Sequence, residues 1–306
     1  MLSGVDVQTS SPENANRWRP PSTMLYLDTS AIRHLADEER YAALRGELVR
    51  RAAFGPVFCT SILALEEIFT STRENPQARD AAFRLLRQLV PEGVLWHWHP
   101  VVRQWVSAPT EFRPSPCWET RPWSALGASI RELDVIRMRE EQEKLQDGAQ
   151  RFRDAVARDL TQSGHLDCSA EKASFWANPA SVVQKAGELS DYLFGVRGNL
   201  AALMHSLGRV SDADACWKAR GNLWVRMCAR HLVIGVVRRV CGRTSDNNLR
   251  GELYDNIHIA FSSVADGIVT QDRWLRRSVS MWEGAQQRHV ALSLDDLPAA
   301  LDTKTG

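Results

Sequence analysis

The chain of 306 residues is long for one small domain, and its 44% hydrophobic and 25% charged residues are those of an ordinary globular protein. A formal net charge of +1 excludes the global basic field of a non-specific nucleic-acid binder, while leaving room for a local basic groove. Only five of the 38 basic residues are Lys, which reads as coding bias toward Arg rather than a preference for bidentate phosphate contacts.

Residues 1–23 are polar and interrupted by Pro12, Pro20 and Pro21, the pattern of a flexible tail. Met24 to Leu27 is a short apolar run ending at Asp28, after which Thr29 and Ser30 open a helical pattern with Ile32 and Leu35 on one face. The unit repeats: Val57 to Thr60 is a second apolar stretch, and Ser61 begins a helix carrying Ile62, Leu65, Ile68 and Phe69. An amphipathic helix follows from Pro76 to Val90, then a strand or buried edge over Val94 to Trp98, then a helix from Val101.

From 107 to 247 the pattern changes. Pro109, Pro114, Pro116 and Pro122 mark an irregular connection, followed by helical patterns at Ser129–Leu160, Pro179–Leu207 and Ser211–Val240 with no strand signal. This reads as an all-helical insertion. Alternation returns with a helix over Glu252–Val264, a buried-type strand over Gly267–Thr270, a short helix after Asp272, and a closing strand over Val290–Ser293 before a tail at 301–306. Strand–helix alternation at both ends predicts an α/β fold with a parallel sheet, built from residues 24–106 and 248–300.

The six cysteines are scattered without a C-x-x-C pair, which argues against a zinc site and against a disulfide framework. No hydrophobic run reaches membrane-spanning length, and the first residues show no signal pattern, so a soluble cytoplasmic protein with no membrane partner is expected.

The chemistry is concentrated in acids at comparable places. Asp28 ends the first strand, Glu66 and Glu67 sit in the first turns of the helix after the second, Asp255 lies in the helix before the GIVT strand, and Asp272 lies just past it. Ligands of open parallel sheets gather outside the carboxyl ends of the strands, where Asp28 and Asp272 both project. Carboxylates meeting there repel one another unless a cation sits between them, and hard oxygen donors suit Mg²⁺ or Mn²⁺. A cation so held binds a phosphate oxygen, acidifies a bound water and stabilises the leaving oxygen, which suits phosphodiester hydrolysis.

These segments resemble a known family. YLDTSAIRHL looks like the opening motif of PIN domains, TSILALEEIF like their second, YDNIHIAFSSVADGIVTQD like the third and fourth together, and HVALSLDDL like their closing strand. The resemblance covers residues 24–106 and 248–300 and leaves the helical middle unexplained. It implies a Rossmann-like α/β/α sandwich and Mg²⁺- or Mn²⁺-dependent cleavage of RNA, single-stranded by preference, with Asp28, Glu67, Asp255 and Asp272 as metal-binding and catalytic acids. Glu67 is preferred to Glu66 because it directly precedes Ile68, as the family's Glu precedes an apolar residue. The resemblance also raises a toxin or defence role, an inhibitor (antitoxin) protein and homo-oligomers.

Blander roles stand beside these. Asp28 and Asp272 are each good helix N-caps, Glu66 and Glu67 suit a helix start, Asp255 could be solvated, and Asp266 reads as a turn residue. Ser30 and Thr270 could support the carboxylates, and His258 lies one turn after Asp255, where a satisfied buried histidine is the ordinary expectation. Arg226, Arg230 and Arg238 could track an RNA backbone, although an exposed polar face of an amphipathic helix is the commoner reading. Trp217 and Trp224 read as core. The competing function is an inactive PIN-like module that binds nucleic acid or protein. A dehalogenase-type phosphatase wants Asp-x-Asp, and the second position here is Ser30.

Overall fold

The computed structural model describes residues 24–54, 57–72, 75–96, 98–109, 120–124, 126, 151, 154–167, 175, 178–241, 252–280 and 289–302. The expected tail at 1–23, most of the expected Ser129–Leu160 helix and residues 303–306 lie outside the described residues; the tail expected at 301–306 is corrected at its start, since Leu301 and Asp302 end a helix and Leu301 is buried.

Strand β1 (Leu25–Leu27) is buried throughout, as an apolar run covered by helices on both faces must be. It is central in a four-stranded sheet of order β2 (Phe58–Cys59), β1, β5 (Gly267–Val269), β6 (Val290–Leu292). All three pairings are parallel, with Tyr26 in register with Cys59 on one side and Ile268 on the other. The chain thus leaves β1 toward β2 and returns 240 residues later on the opposite side of β1. The protein is mostly helical around this small parallel sheet, an arrangement compatible with the expected α/β class.

Asp266, expected in a turn, fastens the two chain halves. Its carboxylate accepts from Met24 N–H at 2.7 Å, its own N–H donates to the Met24 carbonyl at 2.7 Å, and its carbonyl accepts from Val290 N–H at 3.1 Å. At the next residue a Cβ on Gly267 would lie 2.5 Å from the Val290 carbonyl oxygen and 3.2 Å from Leu25 Cδ2. Only a glycine lets β5 sit between β1 and β6. Gly267→Ala is therefore expected to cost about 2–3 kcal/mol in a urea melt through overpacking against backbone; an unchanged midpoint would refute that packing argument.

Strand β3 (Val94–Leu95) pairs antiparallel with β4 (Thr120–Arg121) rather than joining the main sheet, and touches it through the Leu95 N–H donating to the Thr60 carbonyl at 2.9 Å. β4 is a correction: it falls in the stretch expected to hold no strand. Around this edge lie α1 (Thr29–Asp37), α2 (Ala42–Ala52), α3 (Ile62–Ser71), α4 (Pro76–Leu89) and α5 (His99–Ser107). Their starts follow the sequence signals. Asp28 caps α1, Ser61 caps α3, and Asn75 caps α4 with Pro76 in its first turn.

The helical middle is more broken than its periodicity predicts. The Pro179–Leu207 pattern forms two helices, α6 (Pro179–Phe194) and α7 (Arg197–Gly208), parted where Asn199 Nδ2 donates to the Leu193 carbonyl at 3.0 Å. The Ser211–Val240 pattern forms α8 (Ala213–Lys218), a 3₁₀ turn and α9 (Leu223–Val240); Asn222 restarts the helix by accepting from Trp224 N–H at 2.9 Å.

Helix α9 is more enclosed than a helix with one solvent face, and Arg226, Arg230 and Arg238 of its expected polar face are half-buried. Val225, Met227, Cys228, Leu232, Val233, Val236 and Val237 are all buried, and α9 packs on α6, on α10 (Glu252–Ser262) and on α11 (Arg273–Ser280). Trp224 is fully buried as expected, stacked on Trp105 with centroids 6.3 Å apart and edge-on to His289 at 4.7 Å. His289 directly precedes β6, so one indole links the helical middle to the sheet, and a last helix, α12 (Leu297–Asp302), closes the chain. The helical segment shares one continuous core with the sheet.

Cys59, Cys216 and Cys228 are free and buried, whereas Cys241 is disulfide-bonded, a cross-link its isolated position does not announce. No described helix is long and apolar enough to cross a membrane.

Candidate active site at the carboxyl edge of the sheet

At the end of β1 the backbone of Asp28 donates to the Val269 carbonyl at 3.2 Å, so the strand ends level with β5 and hands its side chain to the sheet edge. The carboxylate caps α1, Oδ1 accepting from Ala31 N–H at 2.8 Å, and also takes the Ser30 hydroxyl at 2.9 and 3.0 Å. Capping and site membership therefore coincide. Asp28 is only 3% exposed. Burial raises its pKa from 3.8 to about 6, despite the opposing pull of His258, Thr270, Ala31 and Ser30. Ser30 Oγ lies 3.2 Å from Thr270 Oγ1 and accepts from Gln271 N–H at 2.8 Å, which ties the ends of β1 and β5 together.

Glu67 projects from α3 toward α10. Its Oε2 accepts from the Thr29 hydroxyl and from His258 Nε2 at 2.8 Å. Burial alone would raise this carboxyl, but the charge and hydrogen bond of His258, the Thr29 hydroxyl and Arg33 hold it below its usual value. The same partnership raises His258: burial disfavours the imidazolium, and Glu67, Asp28 and Asp255 outweigh burial. Glu67 and His258 thus form a partly buried ion pair. On the far side of the ring, Nδ1 lies 2.7 Å from the Tyr26 hydroxyl, itself 2.7 Å from Ser61 Oγ. With the imidazole charged, Nδ1–H donates to the Tyr26 oxygen and the phenol donates to Ser61, so every member of the buried row is satisfied. His258 is the satisfied buried histidine expected, and it also touches the acid site.

Asp255 and Asp272 complete the set differently. Asp272 caps α11, Oδ1 accepting from Trp274 and Leu275 N–H at 2.6 and 2.8 Å. Asp255 is raised chiefly by burial, further by the neighbouring charge of Asp272, and is lowered by His231, whose Nε2 lies 3.3 Å from Oδ2. His231 comes from α9 and its Nδ1 is 2.9 Å from Ser278 Oγ. This Ser278–His231–Asp255 row has the order of a hydrolase triad, but Ser278 is 1% exposed and donates its proton to the Trp274 carbonyl at 2.8 Å. A hydroxyl so committed and so buried is no nucleophile.

The expected acids thus cluster electrically: Asp28, Glu67 and Asp255 all act on His258, and Asp255 feels Asp272. Glu66 is not among these partners; its carbonyl accepts from Thr70 on the following turn. Arg226 and Arg230 turn away toward α6, Arg226 lying 3.7 Å from Asp191 beside a cleft of about 230 Å³, and Arg230 against Gly187. Arg238 instead lies over the Trp274 ring beside the acid edge.

The donor set suits a hard divalent cation in type and in charge, since a buried carboxyl, Asp28, and a half-buried one, Asp255, both raised by desolvation, face two imidazoles rather than Lys or Arg. Its placement is another matter. Among the described residues no group of three or more His, Cys, Asp or Glu side chains is disposed to hold a metal ion. The reason is visible: Glu67 is drawn to His258 and Asp255 to His231, so each acid already has an imidazole.

Tyr26, Thr29, Ser61, His231 and Ser278 belong to the site without having been singled out for it. Tyr26 carried a signal, being two residues before Asp28 and so on the same strand face. His231 carried none, because its link to Asp255 exists only through the packing of α9.

No family model, curated protein or solved structure matches the chain.

Proposed function

We propose that the chain is a nuclease that hydrolyses phosphodiester bonds, with single-stranded RNA as its substrate class, and that its sheet and acid site are PIN-like. The observation that carries this reading is Asp28: a carboxyl group almost removed from water, raised to about 6, at the end of the central strand, with Glu67 and Asp255 near enough to act on the same His258 and Asp272 near enough to act on Asp255. Concentrating acids where burial penalises their charge is costly to the fold, and functional sites are where such arrangements are found. The four motifs in order and the central position of β1 support the family reading.

In this reading Asp28 is ionised at neutral pH and basic enough to accept a proton from an attacking water. Ser30 and Thr270 orient it, and Thr29 orients Glu67. A divalent cation, when bound by Asp28 with Glu67, Asp255 and Asp272, supplies charge neutralisation at phosphate and an acidified water. Such binding requires Glu67 and Asp255 to give up their imidazole partners.

The test is cleavage of labelled single-stranded RNA and DNA with Mg²⁺ or Mn²⁺. The wild type should cleave RNA, chelator should stop it, and Asp28→Asn should reduce the rate by about 10²–10⁴, the range for loss of a positioned proton acceptor. A wild type that cleaves neither nucleic acid with either metal would hand the site to the competing reading, an inactive binding module.

A further inference from the structure

We infer that α11, together with Arg238 of α9, forms a track for the phosphate backbone of a single-stranded nucleic acid leading to the acid edge; its purpose, though not its geometry, rests on the nuclease reading. Three guanidinium groups converge on the Trp274 ring. Arg238 lies 4.6 Å from its centroid, Arg277 5.6 Å and Arg273 5.9 Å. Like charges gathered this closely repel one another, and the indole face compensates by attracting each of them. The chain therefore spends a partly buried tryptophan on keeping cations together. Arg273 and Arg277 are exposed, and among the described residues neither makes an ion pair. α11 itself, RWLRRSVS, contains no acidic residue, although the whole chain carries a net charge of only +1. The positive charge is local.

The cluster is fixed relative to the acid site by three short links. Trp274 N–H donates to Asp272 Oδ1 at 2.6 Å, Arg276 Nη1 donates to the Thr270 carbonyl at 3.3 Å, and Ser278 contacts His231, the partner of Asp255. A strand held on these cations therefore runs directly past the carboxylates. The planar forks of Arg match phosphate oxygens two at a time, and Arg273 and Arg277, one helical turn apart, are spaced to take neighbouring phosphates. An acidic peptide offers isolated carboxylates instead of a regular anionic repeat, so a nucleic-acid strand is the better fit.

The experiment is fluorescence anisotropy of the full chain with a labelled oligouridylate in chelator, titrated across NaCl concentration, with polyglutamate as a second probe. The wild type should bind the oligonucleotide. The double variant Arg273→Gln/Arg277→Gln should bind about tenfold more weakly at low salt, and its salt slope should fall by about 1.4, two single-strand phosphate contacts at roughly 0.7 each. Trp274→Leu should weaken binding as well, because the guanidiniums lose their shared platform. Arg220→Gln/Arg226→Gln, on the α6–α9 cleft, should leave affinity and slope unchanged. Circular dichroism and a urea melt show that each variant is folded. An unchanged slope in the Arg273/Arg277 variant, or wild-type binding to polyglutamate and not to the oligonucleotide, overturns the track. Because no cleavage occurs in chelator, a wild type that binds but never cleaves refutes the nuclease reading and leaves the track standing. One that cleaves while the variants bind normally does the reverse.

Discussion

Asp28→Asn is expected to make the protein more stable at neutral pH while removing the proposed nuclease activity. The sign follows from burial. The carboxyl of Asp28 titrates at about 6 in the fold against 3.8 ordinarily, so the native state keeps its proton over a range in which the unfolded chain has lost it. The associated stability is fully present below about pH 4 and is lost as pH rises through about 6. The gap amounts to ~3 kcal/mol at 1.36 kcal/mol per pKa unit, with the opposing attraction to His258 already contained in it. Asparagine retains an oxygen for the Ala31 N–H and is itself a good N-cap, so little is lost from α1. Urea melts of both proteins at about pH 4 and about pH 7.5 read the effect as a difference of differences, in which other titrating groups cancel. If the variant gains no stability relative to wild type between the two pH values, Asp28 is not carrying a desolvation penalty.

Trp224→Ala is expected to cost about 3–5 kcal/mol, the range for emptying a fully buried tryptophan site. Its more informative consequence concerns the sheet. The indole stacks on Trp105 of α5 and meets His289 at the foot of β6, so the loss is transmitted from the helical middle into the sheet. Thermal unfolding followed by far-UV circular dichroism and by tryptophan fluorescence should shift together, as one transition. Two separated transitions, with the sheet surviving the loss of the helices, would mean that the helical middle is an independent appendage after all.

The sequence carried the ends of the fold better than its middle. Asp28, Asp272 and the Glu67 helix were legible because strand ends and helix caps are local: an apolar run, an Asp, then Thr-Ser or Arg-Trp is enough to place them. Asp255 was placed by its helix and neighbouring strand. What escaped depends on contacts between distant segments. His231 reaches Asp255 only because α9 lies across α10 and α11, and no spacing in the chain encodes that crossing. The breaks at Gly195 and Asn222 were hidden by hydrophobic periodicity that continues across them; at the first the Asn199 amide bonds the end of the preceding helix, and at the second the Asn222 amide starts the next one. Asp266 does sit in the bend its neighbour Gly267 suggested, but its clasp on Met24, like the close approach at Gly267, depends on a distant segment. The strand at Thr120–Arg121 is too short for alternation to register.

The clasp between Met24 and Asp266 spans 242 positions of the chain. On a ribosome adding roughly 5–20 residues per second, β1 emerges at least ten seconds or so before β5 can pair with it. Until then β1 and β2 have no β5 beside them, and Asp28 has neither Thr270 nor His258 within reach. The acidic edge consequently comes into being only after the helical middle has been made, and a fragment ending before Gly267 cannot possess it. On the nuclease reading, that order of assembly separates the making of β1 from the onset of any chemistry at its end.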